Sequence, residues 1–347
     1  MPTPTPTMED VAELSGLSRV TVSKVLNGHG VRAKTRTRVL DACQKLNFVA
    51  NHHAATLARG GSRLMGLVVT SITDPFYGKI IEQAERTASS LGFDLAYRCS
   101  YSDAQQERRV AEGFLGLKAV ALIVSPVPSD ENLSFWRTLS GQMPVVFIDH
   151  ATLRSCHLVA TDHYAGACLM TEHLLQLAFR PAYLGSTEPL TNSAIAARQQ
   201  GYLDAMERAG KETLFLLPST ETEHGDSEHF GYATVKAYLL TPEARITPLS
   251  ALACATDAIA LGAMTALVEH GLVPGRDVLV AGHDDLSFSS FLTPPLTTVR
   301  QPRVAIGETA VQAAVNLVTD PRARKRRVSV KLAPELIVRA STQGLLL

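Results

Sequence analysis

A short segment near the amino terminus carries the densest set of side chains suited to nucleic acid. It reads Leu17-Ser18-Arg19-Val20-Thr21-Val22-Ser23-Lys24-Val25-Leu26-Asn27-Gly28. On a helix, Arg19, Val20 and Lys24 share one face, from which they could contact base edges in the major groove. Thr21 and Ser23 add hydroxyls of the kind that bind phosphates. The same pattern also fits an ordinary amphipathic helix with solvated charges, so the surrounding elements must decide between the two.

Three helices are predicted around this segment. Residues 7–10 have the spacing of a capping box, and the helix that they begin ends at Gly16. Ser18 can cap a second helix over residues 19–26, and a third is predicted over residues 35–46. Two short helices joined by a tight Gly-containing turn, with a third in support, form a helix-turn-helix.

The charge distribution favours the same interpretation. Residues 1–63 contain nine Lys and Arg against four Asp and Glu, a net charge of +5. The whole chain is neutral, so the remainder carries −5. A basic head on an acidic body is typical of a phosphate-binding module joined to a domain of another kind.

From residue 64 onward, short apolar runs typical of buried strands alternate with amphipathic helical segments. This alternation predicts parallel sheets with right-handed crossovers. About 270 residues of it indicate two doubly wound lobes, with a ligand cleft at the carboxyl ends of the strands. The predicted fold is therefore an N-terminal all-α helix-turn-helix headpiece plus an α/β core of two doubly wound parallel-sheet lobes.

The sequence offers no obvious carrier for catalysis. It has no Gly-x-Gly-x-x-Gly loop, Walker loop, Gly-x-Ser-x-Gly elbow or His-Glu-x-x-His motif. The five cysteines are scattered, and His224 and His229 match no strong ligand spacing. We therefore expect no catalytic residue, no cofactor and no metal site. The first rival interpretation, an enzyme on a doubly wound fold, is disfavoured.

No apolar run approaches the ~18 residues of a membrane span. The first seven residues, Met-Pro-Thr-Pro-Thr-Pro-Thr, lack the basic and apolar regions of a secretory signal. We expect a cytoplasmic, nucleoid-associated protein with no membrane partner. The second rival, an exported sugar-binding protein with lobes of the same kind, would need such a signal and would have no use for a basic helix-turn-helix.

Several motifs stand in register over residues 8–66: Asp10-Val11-Ala12, Ser18-x-x-Thr21-Val22-Ser23, Val25-Leu26-Asn27-Gly28, Thr35-Arg36, Leu46-Asn47-Phe48, and Asn51 with Ala54-x-x-Leu57. Together they closely resemble the headpiece of the LacI/GalR (lactose-repressor) family. The resemblance implies a transcriptional regulator, most simply a repressor of carbohydrate-related genes. It implies DNA contacts by Ser18, Arg19, Val20, Thr21, Ser23, Lys24, Asn27, Lys34, Thr35, Asn51 and Leu57.

In this family a hinge becomes a short helix on operator DNA, and a Leu side chain wedges into the minor groove at the centre of the site. Leu57 occupies that place. Two hinges must meet at one base step, which implies a homodimer and a palindromic operator. Three residues depart from the family pattern: Lys24 stands where Arg is usual, Ala50 replaces a Pro, and Ala55 replaces a polar residue. These departures concern the half-site sequence and the stability of the hinge.

Motifs along residues 62–341 resemble the periplasmic-binding-protein-like core of the same family, among them Asp74-Pro75-Phe76-Tyr77, Arg198-x-x-Gly201-Tyr202, Gly282-His283-Asp284-Asp285 and Pro334-Glu335-Leu336-Ile337. The resemblance implies an interlobe effector pocket formed by Phe76, Ser125, Asp149, Arg198, Thr256, Asp284 and Gln301. Carboxylates, a guanidinium and an aromatic ring suit a sugar or sugar acid. An effector-dependent activator, or a regulator that responds to a nucleobase or another non-sugar metabolite, stays an alternative.

The predicted order is a disordered tail (residues 1–7), a helix-turn-helix (8–50), a hinge helix (51–61) and an effector-binding and dimerisation core (62–341). Within the core, residues 62–161 and 293–325 are assigned to the first lobe, and residues 162–292 and 326–341 to the second. The run Arg322-Ala323-Arg324-Lys325-Arg326-Arg327 fits either a solvated turn or a second nucleic-acid patch. The carboxyl terminus lacks the leucine heptads that would predict a tetramer, which favours a dimer.

Overall fold

The structure is a computed structural model that describes residues 6–26, 30–48, 62–151, 153, 155–178, 180–185, 192–216, 227–320 and 322–343. The chain divides into two compact units, Met1–Arg63 and Leu64–Leu347. Asn27, Asn51 and Leu57, and with them the whole predicted hinge, lie outside the described residues.

The described residues of the first unit form three helices, α1 (Met8–Ser15), α2 (Arg19–Leu26) and α3 (Ala33–Leu46). The predicted capping box is present: the Thr7 hydroxyl accepts from the Asp10 amide, and the Asp10 carboxylate accepts from the Thr7 amide at 2.6 Å. Gly16 ends α1 in the left-handed region at φ 62°. The Ser18 hydroxyl accepts from the Thr21 amide at 3.2 Å and so caps α2, as predicted.

A small apolar core sets the orientation of these helices. Val11 of α1, Val22 and Val25 of α2, and Val39 of α3 are buried against one another. Because α2 uses Val22 and Val25 for this contact, its opposite face points to solvent. The headpiece prediction is thereby confirmed for the described helices.

Twelve strands are found in the described residues of the second unit. They are β1 (Leu64–Val69), β2 (Asp94–Cys99), β3 (Ala121–Val124), β4 (Val145–Ile148), β5 (His157–Thr161), β6 (Pro181–Leu184), β7 (Phe215–Leu216), β8 (Ala251–Cys254), β9 (Leu279–Asp284), β10 (Thr297–Arg300), β11 (Ser329–Leu332) and β12 (Glu335–Ile337). They form two six-stranded sheets, in the orders β11-β5-β4-β3-β1-β2 and β12-β10-β9-β8-β6-β7. Every pair is parallel except β10 with β12.

Helices cover the sheets. They are α4 (Pro75–Ser90), α5 (Ala104–Gly116), α6 (Leu133–Gln142), α7 (His163–Leu177), α8 (Ser193–Arg208), α9 (Ser227–Leu239), α10 (Glu243–Ile246), α11 (Asp257–Glu269), α12 (Arg303–Thr319) and α13 (Ala340–Gln343). Strands buried on both faces are continuous apolar runs, as in a doubly wound fold. The predicted two-lobe α/β core is confirmed.

The assignment of the last segments to lobes needs correction. Residues 293–325 were expected in the first lobe, but β10 pairs with β9 in the second sheet. Residues 326–341 were expected in the second lobe, but β11 pairs with β5 in the first sheet. Two elements agree with the expectation, since α12 packs on α4 and on β3–β5 of the first lobe, and β12 pairs with β10 in the second sheet. The chain therefore crosses between the lobes three times, and a strand of four residues carries no local signal of the sheet that it joins.

One glycine marks a tight contact in the second lobe. A Cβ at Gly262 of α11 would overlap the carbonyl oxygen of Glu228 on α9, and a backbone atom cannot move aside as a flexible side chain can. We expect Gly262→Ala to lower the free energy of unfolding by about 3 kcal/mol in a denaturant titration. Gly78→Ala in α4 is the matched control, because nothing lies within 4 Å of its added Cβ. That change should stabilise by about 0.5–1 kcal/mol, and equal effects at both sites would contradict the contact.

Candidate functional site

The solvent face of α2 carries the side chains that were predicted to read bases. Arg19, Val20 and Lys24 are exposed, and the apolar Val20 side chain is 64% accessible. Arg19 lies 3.5 Å from Glu9, but both side chains are well exposed, so this ion pair is weak and easily exchanged for a phosphate. The face combines two cations with an apolar contact of the size that fits a thymine methyl.

The side chains of the other predicted DNA contacts differ in their exposure and in their hydrogen bonds within the protein. Ser18 and Thr21 contact each other through their hydroxyls at 2.9 Å, although both remain accessible. Ser23 is half-buried. Lys34 and Thr35 lie in the first turn of α3, which begins two residues earlier than predicted and has no side-chain cap. Uncapped amides in a first turn can donate to a phosphate.

The second unit contains a cavity of about 680 Å³ between its lobes. Its walls come from the residues that follow the carboxyl ends of the strands in both sheets, and from the first turns of the helices after them. Parallel sheets with this topology place their ligands at these ends. The volume suits a ligand of small-metabolite size.

Six of the seven predicted effector residues line this cavity: Phe76, Asp149, Arg198, Thr256, Asp284 and Gln301. Ser125 does not. It is fully buried behind Tyr77, and its hydroxyl lies 2.9 Å from the Tyr77 hydroxyl, so it can only orient that ring. Thr256 has a structural task as well, since its hydroxyl accepts from the Ile259 amide at 3.1 Å and caps α11.

Arg198 is the only cationic side chain of Lys or Arg type among the described residues that line the cavity. It projects from α8 and is only 4% exposed. Its guanidinium donates to the Ala255 carbonyl at 2.7 Å and lies 3.3 Å from Oδ1 of Asp284. Its Nε also donates to Nδ1 of His163 at 3.4 Å, which requires the neutral ring. Burial lowers the pKa of His163 and so favours that form.

Asp284 ends β9 in an unusual backbone conformation, with φ 127°. Its carboxylate accepts from the Gln301 amide at 2.7 Å, and the Gln301 oxygen accepts from the Thr161 hydroxyl at 2.6 Å. Burial raises the pKa of Asp284 to about 7, against the opposing effect of Arg198. Thr161 belongs to the first sheet and Asp284 to the second, so this chain of hydrogen bonds joins the two lobes.

Asp149 follows β4 with φ 66°, and its carboxylate lies between two histidines. Nδ1 of His150 is at 3.2 Å and Nε2 of His163 at 3.3 Å. Although burial alone raises the pKa of Asp149, the hydrogen bonds from these rings outweigh it and hold the pKa well below its ordinary value. The carboxylate therefore stays ionised as a hydrogen-bond acceptor at the cavity wall.

Several lining residues were not predicted: Asp74, Tyr77, Tyr101, His150, Asn192 and Glu228. Most of them follow a strand or begin a helix, so the predicted ends of the strands would have indicated them as lining residues. Asp74 and Asn192, for example, are N-caps that accept from the amides of Phe76 and Ala194. Burial raises the pKa of Asp74.

Among the residues that the structure describes, no group of three His, Cys, Asp or Glu side chains is arranged to hold a metal ion. His224 lies outside them. In the same part of the chain, every helix is too short or too polar to cross a bilayer.

Family models match both parts of the chain. The model described as bacterial regulatory proteins of the lacI family matches residues 7–51, and that of a periplasmic binding protein-like domain matches residues 171–342. The ribose operon repressor of Escherichia coli (strain K12) is 30% identical over 342 residues, which cover 96% of this chain and 99% of the repressor. The repressor PurR of Haemophilus influenzae (strain PittEE) is 30% identical over 98% of this chain and 99% of its own.

The fold is likewise shared with solved structures. The lac repressor dimer bound to operator and the anti-inducer ONPF matches with a TM-score of 0.85 and 28% identity, over 98% of this chain and 99% of that chain. A complex of the regulator CelR with cellobiose matches with a TM-score of 0.69 and 25% identity, over 97% and 99%. Sequence and structure therefore agree, and the chain belongs to the LacI family of DNA-binding transcriptional repressors.

Proposed function

We propose that this repressor binds a palindromic operator as a homodimer, and that a neutral polyhydroxylated effector in the interlobe cavity sets its affinity for that operator. We also propose that the protein is located in the cytoplasm, on the nucleoid. Support comes from relatives whose names or titles include ribose, cellobiose, ONPF and ONPG. For DNA contact, the support is the exposed face of α2.

The charge of the cavity wall is the observation that favours a neutral effector. Among the described residues, four carboxylates line it, those of Asp74, Asp149, Glu228 and Asp284, against the single guanidinium of Arg198. Asp284 already lies 3.3 Å from that guanidinium. An anionic ligand would meet uncompensated negative charge in a partly dehydrated site, whereas hydroxyl groups can donate to the carboxylates and accept from Arg198. A neutral sugar is therefore favoured over the sugar acid that the sequence left open.

The hydrogen-bond chain Thr161–Gln301–Asp284 supports a mechanism for the response. It joins the first lobe to the second beside the cavity. A ligand that bonds to Asp284 or Gln301 changes this chain and hence the relative stability of two lobe arrangements. Such coupling is typically ~1–3 kcal/mol in free energy, which corresponds to a several-fold to hundred-fold change in operator affinity.

The test begins with selection of genomic fragments by the purified full-length protein. The recovered fragments, titrated by fluorescence anisotropy, should share a near-palindromic sequence. A panel of neutral sugars, sugar acids and nucleobases is then added to the complex. We expect at least one neutral sugar, and no sugar acid, to change the affinity by about tenfold or more. A response confined to sugar acids or nucleobases would contradict the effector class, and a monomer in sedimentation at micromolar concentration would contradict the dimer.

Lys24→Ala tests the reading face of α2. Lys24 is exposed there, and loss of its contact should weaken operator binding by about 1–3 kcal/mol and relax the preference at one base pair of each half-site. Lys45→Ala is the matched control, because Lys45 is also exposed but lies in the last turn of α3. Equal losses for both variants would show that Lys24 contributes only general charge.

A further inference from the structure

One edge of the first sheet gathers the amino-terminal ends of its parallel strands. In the strand register, Met65 pairs with Ala121 and Leu122 with Val145. Val146 pairs with His157 at the start of β5, and Leu158 with Ser329 at the start of β11. The loops that precede β3 and β11 therefore lie along this edge, opposite to the edge that faces the cavity.

This amino-terminal edge carries five exposed cationic residues: Lys118, Arg322, Arg324, Arg326 and Arg327. Lys118 and Arg324 line the same surface groove, so the loop before β3 and the loop before β11 are neighbours. The Val120 amide donates to the Leu64 carbonyl at 2.8 Å, which brings the loop of Lys118 beside the start of β1.

The loop before β11 has a defined conformation. Nε of Arg324 donates to the Leu317 carbonyl at 3.0 Å, and Nε of Arg327 donates to the Cys156 carbonyl at 3.2 Å. Both guanidinium groups are thus held by the backbone, and their side chains remain exposed to solvent. A fixed array of this kind loses little conformational entropy when it binds a charged surface.

Most cations of this edge lack acidic partners. In the described parts of the chain, no ion pair involves Lys118, Arg322, Arg324, Arg326 or Arg327. Exposed cations elsewhere are often paired, as in Arg208 with Glu172 and Arg276 with Asp277. Clustered like charges repel one another within a Debye length of about 8–10 Å, and a bound polyanion relieves that repulsion.

We propose that the amino-terminal edge of the first sheet is a second DNA-binding surface, which contacts duplex phosphates in addition to those bound by the headpiece. Chain continuity favours DNA as the occupant, because Arg63 is the last residue of the DNA-binding unit and β1 begins at this edge. The exposed side chains of the loop before β11 are mostly cationic, so the surface suits backbone phosphates and carries no base preference.

The test compares two full-length double variants that each remove two positive charges. Arg322→Gln/Arg326→Gln alters the edge and leaves the anchored Arg324 and Arg327 in place. Arg109→Gln/Arg245→Gln removes exposed arginines from α5 and α10, away from the edge. Binding to a 60-base-pair duplex of random sequence is measured from 50 to 300 mM KCl, with thermal unfolding as the check on folding.

We expect the edge variant to bind roughly tenfold more weakly at 100 mM KCl. The slope of log affinity against log salt concentration should also become shallower by about 2 per subunit, because each lost phosphate contact reduces the magnitude of that slope by ~0.9. The control pair should keep the wild-type slope. Identical slopes for both variants would overturn the proposal. Unchanged DNA binding with loss of sedimentation on phosphatidylglycerol vesicles would also overturn it, because the surface would then contact lipid.

Discussion

Replacing Arg198 with Met is expected to remove the response at effector concentrations that suffice for the wild type, while the effector-free protein keeps operator affinity within about threefold. The guanidinium lies in the cavity wall at 4% exposure, and no other Lys or Arg of the described residues lines that cavity. Met fills a similar volume but cannot donate hydrogen bonds. Loss of a charged hydrogen bond lowers effector affinity by about 2–3 kcal/mol, a factor of roughly 30 to 150.

The protein should survive the change with a moderate loss of stability. Breaking a buried ion pair costs about 3–5 kcal/mol when the remaining charge stays ionised. Here the remaining group is Asp284, whose pKa burial raises to about 7, so it can take up a proton and reduce that cost. Effector titrations of the operator complex and denaturant unfolding measure the two effects separately.

Arg208→Met is the matched control. Arg208 lies on the same helix α8, but it is exposed and paired with Glu172 at 2.8 Å. Effector response and operator affinity should both match those of the wild type. An Arg198→Met repressor that still responds at wild-type effector concentrations would contradict the assignment of Arg198 to the effector site.

The local elements were predictable because their signals are local. The Thr7–Asp10 capping box, the Ser18 cap and the period of the apolar residues each lie within one helix. The effector residues Asp149 and Asp284 were found through resemblance to the family. The same positions follow from physics, since each directly follows or ends a parallel strand.

The remaining features depend on contacts between distant segments. Ser125 has the right position after β3, but the Tyr77 ring from α4 separates it from the cavity. β10 and β11 each join the sheet of the other lobe than predicted, and this choice depends on the strands that lie beside them in the folded protein. The contact of Asp149 with His163 joins the residue after β4 to the first residue of α7, two segments that are separate in the sequence. No pattern within a short window contains this information.

We expect the titration of Asp284 to appear in the pH dependence of the free energy of unfolding. In the unfolded chain a carboxyl of Asp titrates near pH 4, whereas burial raises the folded pKa of Asp284 to about 7. Between these values the unfolded state releases the proton first, so this group's contribution to the free energy of unfolding falls as the pH rises, and it is constant above the folded pKa. Asp284→Asn removes that contribution and keeps the oxygen that accepts from Gln301.

The difference in unfolding free energy, wild type minus Asp284→Asn, should therefore fall by about 2–3 kcal/mol between pH 5 and pH 8. Asp74, Asp149, Asp257, His163 and His283 surround the same region and titrate in both proteins, so their contributions largely cancel in the difference. Asp94→Asn, an exposed change of the same type in β2, is the control variant and is measured over the same pH range.

The same titration has a functional consequence. A carboxylate accepts two hydroxyl protons from a sugar, whereas the protonated acid must use one of its oxygens as a donor. Effector affinity of the wild type should thus rise with pH by up to about tenfold per unit below pH 7 and level off above it, while Asp284→Asn binds weakly and shows no such rise. An affinity that decreases from pH 6 to pH 8 in the wild type would mean that the effector binds to the neutral acid, and that Asp284 acts as a hydrogen-bond donor in the cavity.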